Sequence, residues 1–211
     1  MNTKFKSRLF ALLIFLIIPL GFYLYYKQKV DALPKRADKI ATYWEAPAFR
    51  YATQNGDTLS SDSLKGRVYI ADFIFTHCET VCPNLSKTMA QLQENFRENG
   101  LVKLVSFSID PDRDSVSVLK EYADRYGAIN GKWYFLRGDK QTIWSTVEKG
   151  YKVSVGYVPD STGTGYSFTH SEKLVLVDDQ GKVRGFYNGT DKEDMDSLYN
   201  NIASLIVAKT L

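Results

Sequence analysis

The stretch that most constrains this chain is Ala71 to Met89, ADFIFTHCETVCPNLSKTM. An apolar run, Val68 to Ala71 and then Phe73 to Phe75, stops at Thr76-His77-Cys78, and after three more residues come Cys82 and Pro83. A short apolar run closed by turn residues reads as a buried strand. Asn84 to Arg97 has helical habit, and Pro83 suits the first helical position because its missing N–H would have no partner there. The only two cysteines of the chain therefore stand where a buried strand hands over to a helix. A helix N-terminus carries partial positive charge and free N–H groups, which lower a thiol's pKa and favour thiolate, the nucleophilic and metal-binding form.

The rest of the chain reads as a scaffold for this pair. Strands are expected at Arg67 to Phe75, Val102 to Ile109, Trp133 to Leu136 and Val153 to Val158, with helices at Pro83 to Glu98, Ser115 to Tyr126 and Gln141 to Lys149. Met89, Leu92 and Phe96 share one helix face, Gly100 and Gly127 follow helix ends, and Asp114 reads as an N-cap. Asn55-Gly56, between Phe49, Tyr51 and Thr58, signals a hairpin. A polar, Gly-rich loop from Pro159 to Ser167 leads to His170, and a second hairpin joins Lys173 to Val177 with Val183 to Tyr187. Asp191 caps a closing helix to Ala208. Strand and helix alternate, so the expected class is α/β, with a central mixed sheet flanked by helices.

Leu9 to Tyr26 holds eighteen residues without a charge. At about 1.5 Å per helical residue this run spans roughly 27 Å, near the lower limit for crossing a bilayer. Tyr23, Tyr25 and Tyr26 fall at one end, where interfacial aromatics belong. A cleaved signal peptide is the competing reading, but Lys27 and Lys29 separate the run from Val30-Asp31-Ala32, a poor cleavage site. The expected organisation is a short cytoplasmic N-terminus (1–8), a transmembrane anchor (9–26), a tether (27–46) and one domain (47–211). Basic residues flank the run on both sides and do not orient it; a large C-terminal domain translocates largely regardless of charge, which gives N-in, domain-out.

Lys4, Lys6, Arg8, Lys27 and Lys29, with no acid among them, fall in the first 30 residues, so the formal net charge of +3 leaves −2 on the remainder. No basic stripe interleaved with aromatics asks for nucleic acid. Two cysteines are also too few for a disulfide scaffold.

Cys78 and Cys82 form a C-x3-C pair whose positions, four apart, face the same way once the helix has begun. Buried structural thiols are the plain reading, weakened by placement at a strand's carboxyl end, where open α/β sheets put ligands. A readily reduced disulfide is a second reading. Copper is a third: two soft thiolates suit Cu(I), and an added imidazole lets the site hold Cu(II). His170 is the candidate third ligand, its rival role being a hydrogen-bonded loop histidine. His77 follows extended backbone next to Cys78, so its side chain should point elsewhere, which disfavours a four-ligand zinc site. Asp110, Asp112 and Asp114 lack the glycine and distal glutamate of a calcium loop and fit a turn with a helix cap better.

On these residues the chain resembles the Sco/SenC family: DFIFTHCETVCP at 72–83, SFSIDPDRD at 106–114, and FTHS at 168–171 ahead of a strand ending VDDQGKV. The likeness covers Ala46 to the C-terminus, and the N-terminal anchor matches too. It implies a thioredoxin-like, membrane-anchored copper protein on the outer (periplasmic) face of a bacterial cytoplasmic membrane. Its implied task is assembly of the dinuclear CuA centre of cytochrome c oxidase subunit II, as a metallochaperone rather than an enzyme. Cys78, Cys82 and His170 fall on the family's copper ligands, whereas His77 matches a position without an established ligand role. Other copper chaperones and thiol-disulfide reductants are implied as further partners. Glu79-Thr80 replaces the family's frequent Pro-Asp, and Thr169 its frequent acid before the histidine. The competing activity is a thiol-disulfide reductase or peroxidase using Cys78 and Cys82 without metal. The chain has no proline at Ser171, where thioredoxins have one.

Overall fold

The computed structural model of the chain describes residues 3–78, 81–154, 157–159, 166–168 and 172–210, with backbone only for 3–14, 32–36, 157–159, 166–168 and 210. Two compact units emerge, residues 1–39 with 203–211, and Ile40–Ile202. The first contains helix α1, Thr3–Ala37, which continues through the beginning of the stretch expected as a tether. Among the described residues no helix is long and apolar enough to cross a membrane. The first residues of the expected span, Leu9 to Ile14, belong to the part given as backbone only.

In the second unit the elements follow in chain order as β1 (Arg50–Thr53), β2 (Thr58–Ser60), β3 (Val68–Ile74), α2 (Val81–Asn95), β4 (Val102–Ser108), α3 (Val116–Arg125), β5 (Trp133–Arg137) and α4 (Lys140–Ser145). A single π turn extends α4 to Gly150. Then come β6 (Tyr157–Pro159), β7 (Tyr166–Phe168), β8 (Lys173–Val177), β9 (Val183–Asn188) and α5 (Lys192–Thr210), whose residues from Ala203 on belong to the first unit. Seven strands form one sheet in the order β2-β1-β5-β4-β3-β8-β9, while β6 and β7 pair as a separate ribbon. Strands β3, β4 and β5 are parallel, and β8 and β9 close that side as an antiparallel hairpin. This is the mixed, helix-flanked α/β sheet expected from the alternation of strand and helix patterns.

Strand periodicity sorts the core into two faces. Ile70, Asp72 and Ile74 of β3 share one face with Leu104, Ser106 and Ser108, their register partners on β4. Helices cover this side: Tyr122 of α3 meets Phe135 edge-on at 5.9 Å and bonds Ser86 of α2 at 2.9 Å. The other face carries Tyr69, Phe73 and Phe107, packed against Tyr151, whose ring lies 5.5 Å from Phe73 and 5.4 Å from Phe107. Tyr151 also shares a hydroxyl hydrogen bond of 3.0 Å with Tyr69. Every residue of β3 is buried, as a strand covered on both faces requires.

Several expected boundaries are corrected. Helix α2 begins at Val81, ahead of Cys82, so Pro83 is its third residue rather than its first. The position is still tolerated because the first four N–H groups of a helix have no intrahelical acceptor. Ser115, not Asp114, caps α3, its hydroxyl accepting the Val118 N–H at 3.3 Å, while Asp114 is fully buried. Of the strand expected at Val153 to Val158, Val153 and Ser154 are not strand, 155–156 lie outside the described residues, and Tyr157 and Val158 belong to β6, outside the main sheet.

The side chain of Gln54 does work that the pattern did not reveal. It follows the last residue of β1 and continues the ladder toward β5, donating to the Trp133 carbonyl at 3.1 Å and accepting from the Phe135 N–H at 2.9 Å. Gln54→Ala leaves both backbone groups unpaired in the core. We expect a loss of about 2 kcal/mol, read as a lower urea midpoint with an unchanged slope.

Candidate functional site

The site begins where β3 ends. Ile74 is the last strand residue; the chain then turns through Phe75 to Cys78, with the Cys78 N–H returning to the Phe75 carbonyl at 3.2 Å. Helix α2 starts at Val81, and the Cys82 N–H donates to Cys78 Sγ at 3.3 Å. Neither cysteine is in a disulfide, and both are buried, Cys78 at 6% and Cys82 at 3% exposure. The hand-over from strand to helix thus places two soft donors together at the carboxyl edge of the sheet. His77 is exposed, its Nδ1 3.2 Å from the Thr76 hydroxyl, and so turns out to solvent where Cys78 turns in.

The expectation of a thiolate does not hold at Cys82. The hydrogen bond shared with Cys78 pushes its pKa up, burial pushes it further, and a neighbouring Asp72 charge adds to both, against partial relief from the Phe75 backbone. The shared hydrogen bond and desolvation both oppose the charged form, so a place at a helix N-terminus does not by itself make Cys82 a thiolate. A soft cation between the sulfurs would supply the missing compensation, because metal binding takes deprotonated thiols and releases their protons. Two buried thiols outside any disulfide are chemically suited to such an ion.

His170 lies outside the described residues. The antiparallel register of β8 on β3 sets Ala71 opposite Val175. Lys173 therefore enters the sheet at the end where β3 leaves it, the cysteine end. Among the described residues no group of three or more His, Cys, Asp or Glu side chains could hold a metal ion. The DPDRD carboxylates are taken up by protein partners: Asp110 by Arg113, Asp112 by Lys140 at 2.7 Å, and Asp114 by Thr76 and Ser108.

One residue near the thiols escaped the sequence reading. Asp72, within the apolar run, is fully buried beside Ser106 of β4, and neither carboxylate oxygen has a hydrogen bond among the described residues. Burial pushes its pKa up to about 7, eased in part by the nearby Ser106 hydroxyl. The lone charge in an otherwise apolar strand was the available signal.

The SCO1/SenC family model matches residues 37–207. The chain belongs to the SCO1/SenC family. The SCO1 protein homolog of Bacillus subtilis (strain 168) is 35% identical over 168 residues, covering 79% of this chain and 85% of the relative. The solved structure of BsSco, described as a member of the Sco family of cytochrome c oxidase assembly proteins with a disulfide switch, superposes with a TM-score of 0.66 at 35% identity. That match covers 80% of this chain and 95% of BsSco. Arabidopsis thaliana ScoI, solved with copper bound, gives a TM-score of 0.64 at 26% identity over 76% of this chain and 97% of its own.

The buried carboxyl of this Sco/SenC chain has a measurable signature. With its pKa raised to about 7 from 3.8, folded Asp72 keeps a proton that the unfolded chain has already released. Its contribution is therefore most favourable below pH 4 and is lost as pH rises through 7. Asp72→Asn removes this loss, so its stability relative to wild type should grow by on the order of 4 kcal/mol between pH 4 and pH 8 in urea unfolding. A constant difference across that range would contradict the assignment.

Proposed function

We propose that this chain is a membrane-anchored copper carrier that serves assembly of the CuA centre of cytochrome c oxidase, with copper as its cargo. The observation that carries the reading is the pair of buried, reduced thiols joined through the Cys82 N–H at the carboxyl edge of the sheet. Cys78, Cys82 and His170 would hold one ion, the thiols matching Cu(I) and the imidazole accommodating Cu(II). Entry of β8 at the cysteine end supports His170 as the third donor, since only Ser171 and Glu172 separate it from Lys173. The family and the copper-bound Arabidopsis relative support copper over other soft ions.

The Leu9–Tyr26 run would anchor the protein, with the domain on the outer face of a bacterial cytoplasmic membrane. The apolar side chains in its described part are exposed, from Phe15 at 79% to Tyr26 at 62%. A continuous apolar surface of this kind is suited to lipid or to a partner rather than to water. Cytochrome c oxidase subunit II is the proposed recipient, with copper chaperones or thiol reductants upstream.

A second reading has an observation of its own. Cys82 N and Cys78 Sγ are within hydrogen-bond reach, so the same pair could cycle between dithiol and disulfide, as the disulfide switch described for BsSco suggests. Copper titration of the reduced full-length protein in detergent separates the two. The carrier reading expects a one-to-one complex with sulfur-to-copper charge-transfer absorption. His170→Ala should weaken it by more than the roughly 10- to 100-fold that loss of an outer-shell group costs, while leaving dithiol oxidation intact. Zinc preference, or copper binding indifferent to His170, would overturn it.

A further inference from the structure

The DPDRD turn does more than link β4 to α3. Asp114 is fully buried, and three donors converge on its carboxylate. The Thr76 hydroxyl donates at 2.5 Å, the Ser108 hydroxyl at 2.6 Å, and the Thr76 N–H lies 3.2 and 3.3 Å from the two oxygens. Among the described residues each of these donors to the two oxygens is a neutral hydroxyl or amide, and burial pushes the Asp114 pKa up against their relief. Burying a carboxylate is costly unless its lone pairs are filled, and a turn can be closed by cheaper neutral groups.

The backbone of Asp114 is tied down as well. Its N–H donates to the Asp110 carbonyl at 3.0 Å, and its carbonyl accepts from Arg137 Nε of β5 at 2.9 Å. A second guanidinium nitrogen of Arg137 donates to the Pro111 carbonyl at 3.0 Å. The carboxylate is thus mounted on β4 and β5 and reaches across to the first free turn after β3. Thr76 is the residue it holds, two before Cys78 in sequence. The Cys78 N–H, in turn, closes back on Phe75.

We propose that Asp114 is a positioning residue for the thiol pair: by gripping Thr76 at both N–H and hydroxyl, it fixes the direction in which the chain leaves β3 and so where Cys78 Sγ meets the Cys82 N–H. The inference rests on Cys78 and Cys82 being the working pair, but not on which ion they hold. Asp114 touches neither sulfur; it acts through Thr76. Cys82 is independently held by α2, so the effect of losing Asp114 falls on Cys78 first.

The test is the rate at which each cysteine of the metal-free, reduced full-length protein is alkylated by iodoacetamide, resolved by peptide mass. In Asp114→Asn only one of the two side-chain atoms remains an acceptor, so the Thr76 N–H, the Thr76 hydroxyl and the Ser108 hydroxyl can no longer all be held as in the wild type. Because a hydrogen bond to a charged acceptor is lost, Cys78 should react about tenfold faster or more, with a smaller change at Cys82. Thr76→Val, which loses only the hydroxyl, should shift Cys78 in the same direction, and Thr76→Ser should restore the wild-type rate. Unfolding midpoints measured alongside separate this local effect from general loosening, in which both cysteines accelerate equally. If Asp114→Asn does not fold, the Thr76 pair decides alone. Rates within twofold of wild type in the folded variants, equal acceleration of both thiols, or a wild-type Cys78 as reactive as an unfolded thiol would each overturn the proposal. A wild-type protein that takes up no copper would instead sink the carrier reading and leave this comparison standing.

Discussion

Everything at the thiol site depends on how β3 is held. Its residues are buried on both faces, and its backbone is paired on both edges, parallel to β4 and antiparallel to β8. A strand constrained on four sides has no freedom in the direction of its exit. The turn that follows carries Cys78, and the helix that follows carries Cys82, so both sulfurs inherit that direction. The antiparallel partner completes the arrangement, since the register that secures β3 also brings the start of β8 to the same edge.

Much of this was legible in the sequence because the relevant signals are local. The apolar runs at Val68 to Phe75, Val102 to Ile109 and Lys173 to Val177 became β3, β4 and β8 with ends shifted by a residue or so. Asn55-Gly56 turned as expected, with Gly56 at a positive φ of 83° that favours glycine. What escaped was nonlocal. Ser115 and Asp114 are both good capping residues, and the choice between them was decided by Thr76 and Ser108, which outbid the helix for the Asp114 carboxylate. Gln54 was invisible for the same reason, since its partners lie about eighty residues away on β5. The cysteine pair itself was legible because two such residues at one strand-helix junction constrain the chemistry wherever the rest of the chain lies.

The protonation of the pair is where local reasoning misled. A helix N-terminus favours thiolate, yet Cys82 is held toward its neutral form by its shared hydrogen bond with Cys78 and by burial. The buried Asp72 carboxyl adds to that resistance rather than relieving it. Negative charge is therefore costly at the thiol pair, and a soft cation held there would offset that cost by taking the place of the protons. On the carrier reading proposed above, occupancy would be coupled to proton release.

Copper K-edge X-ray absorption on the loaded full-length protein tests this account most directly. The predicted first shell holds two sulfurs and an imidazole nitrogen, with the nitrogen contribution lost in His170→Ala while the sulfurs remain. A shell of nitrogen and oxygen alone, or one unaffected by His170→Ala, would contradict it.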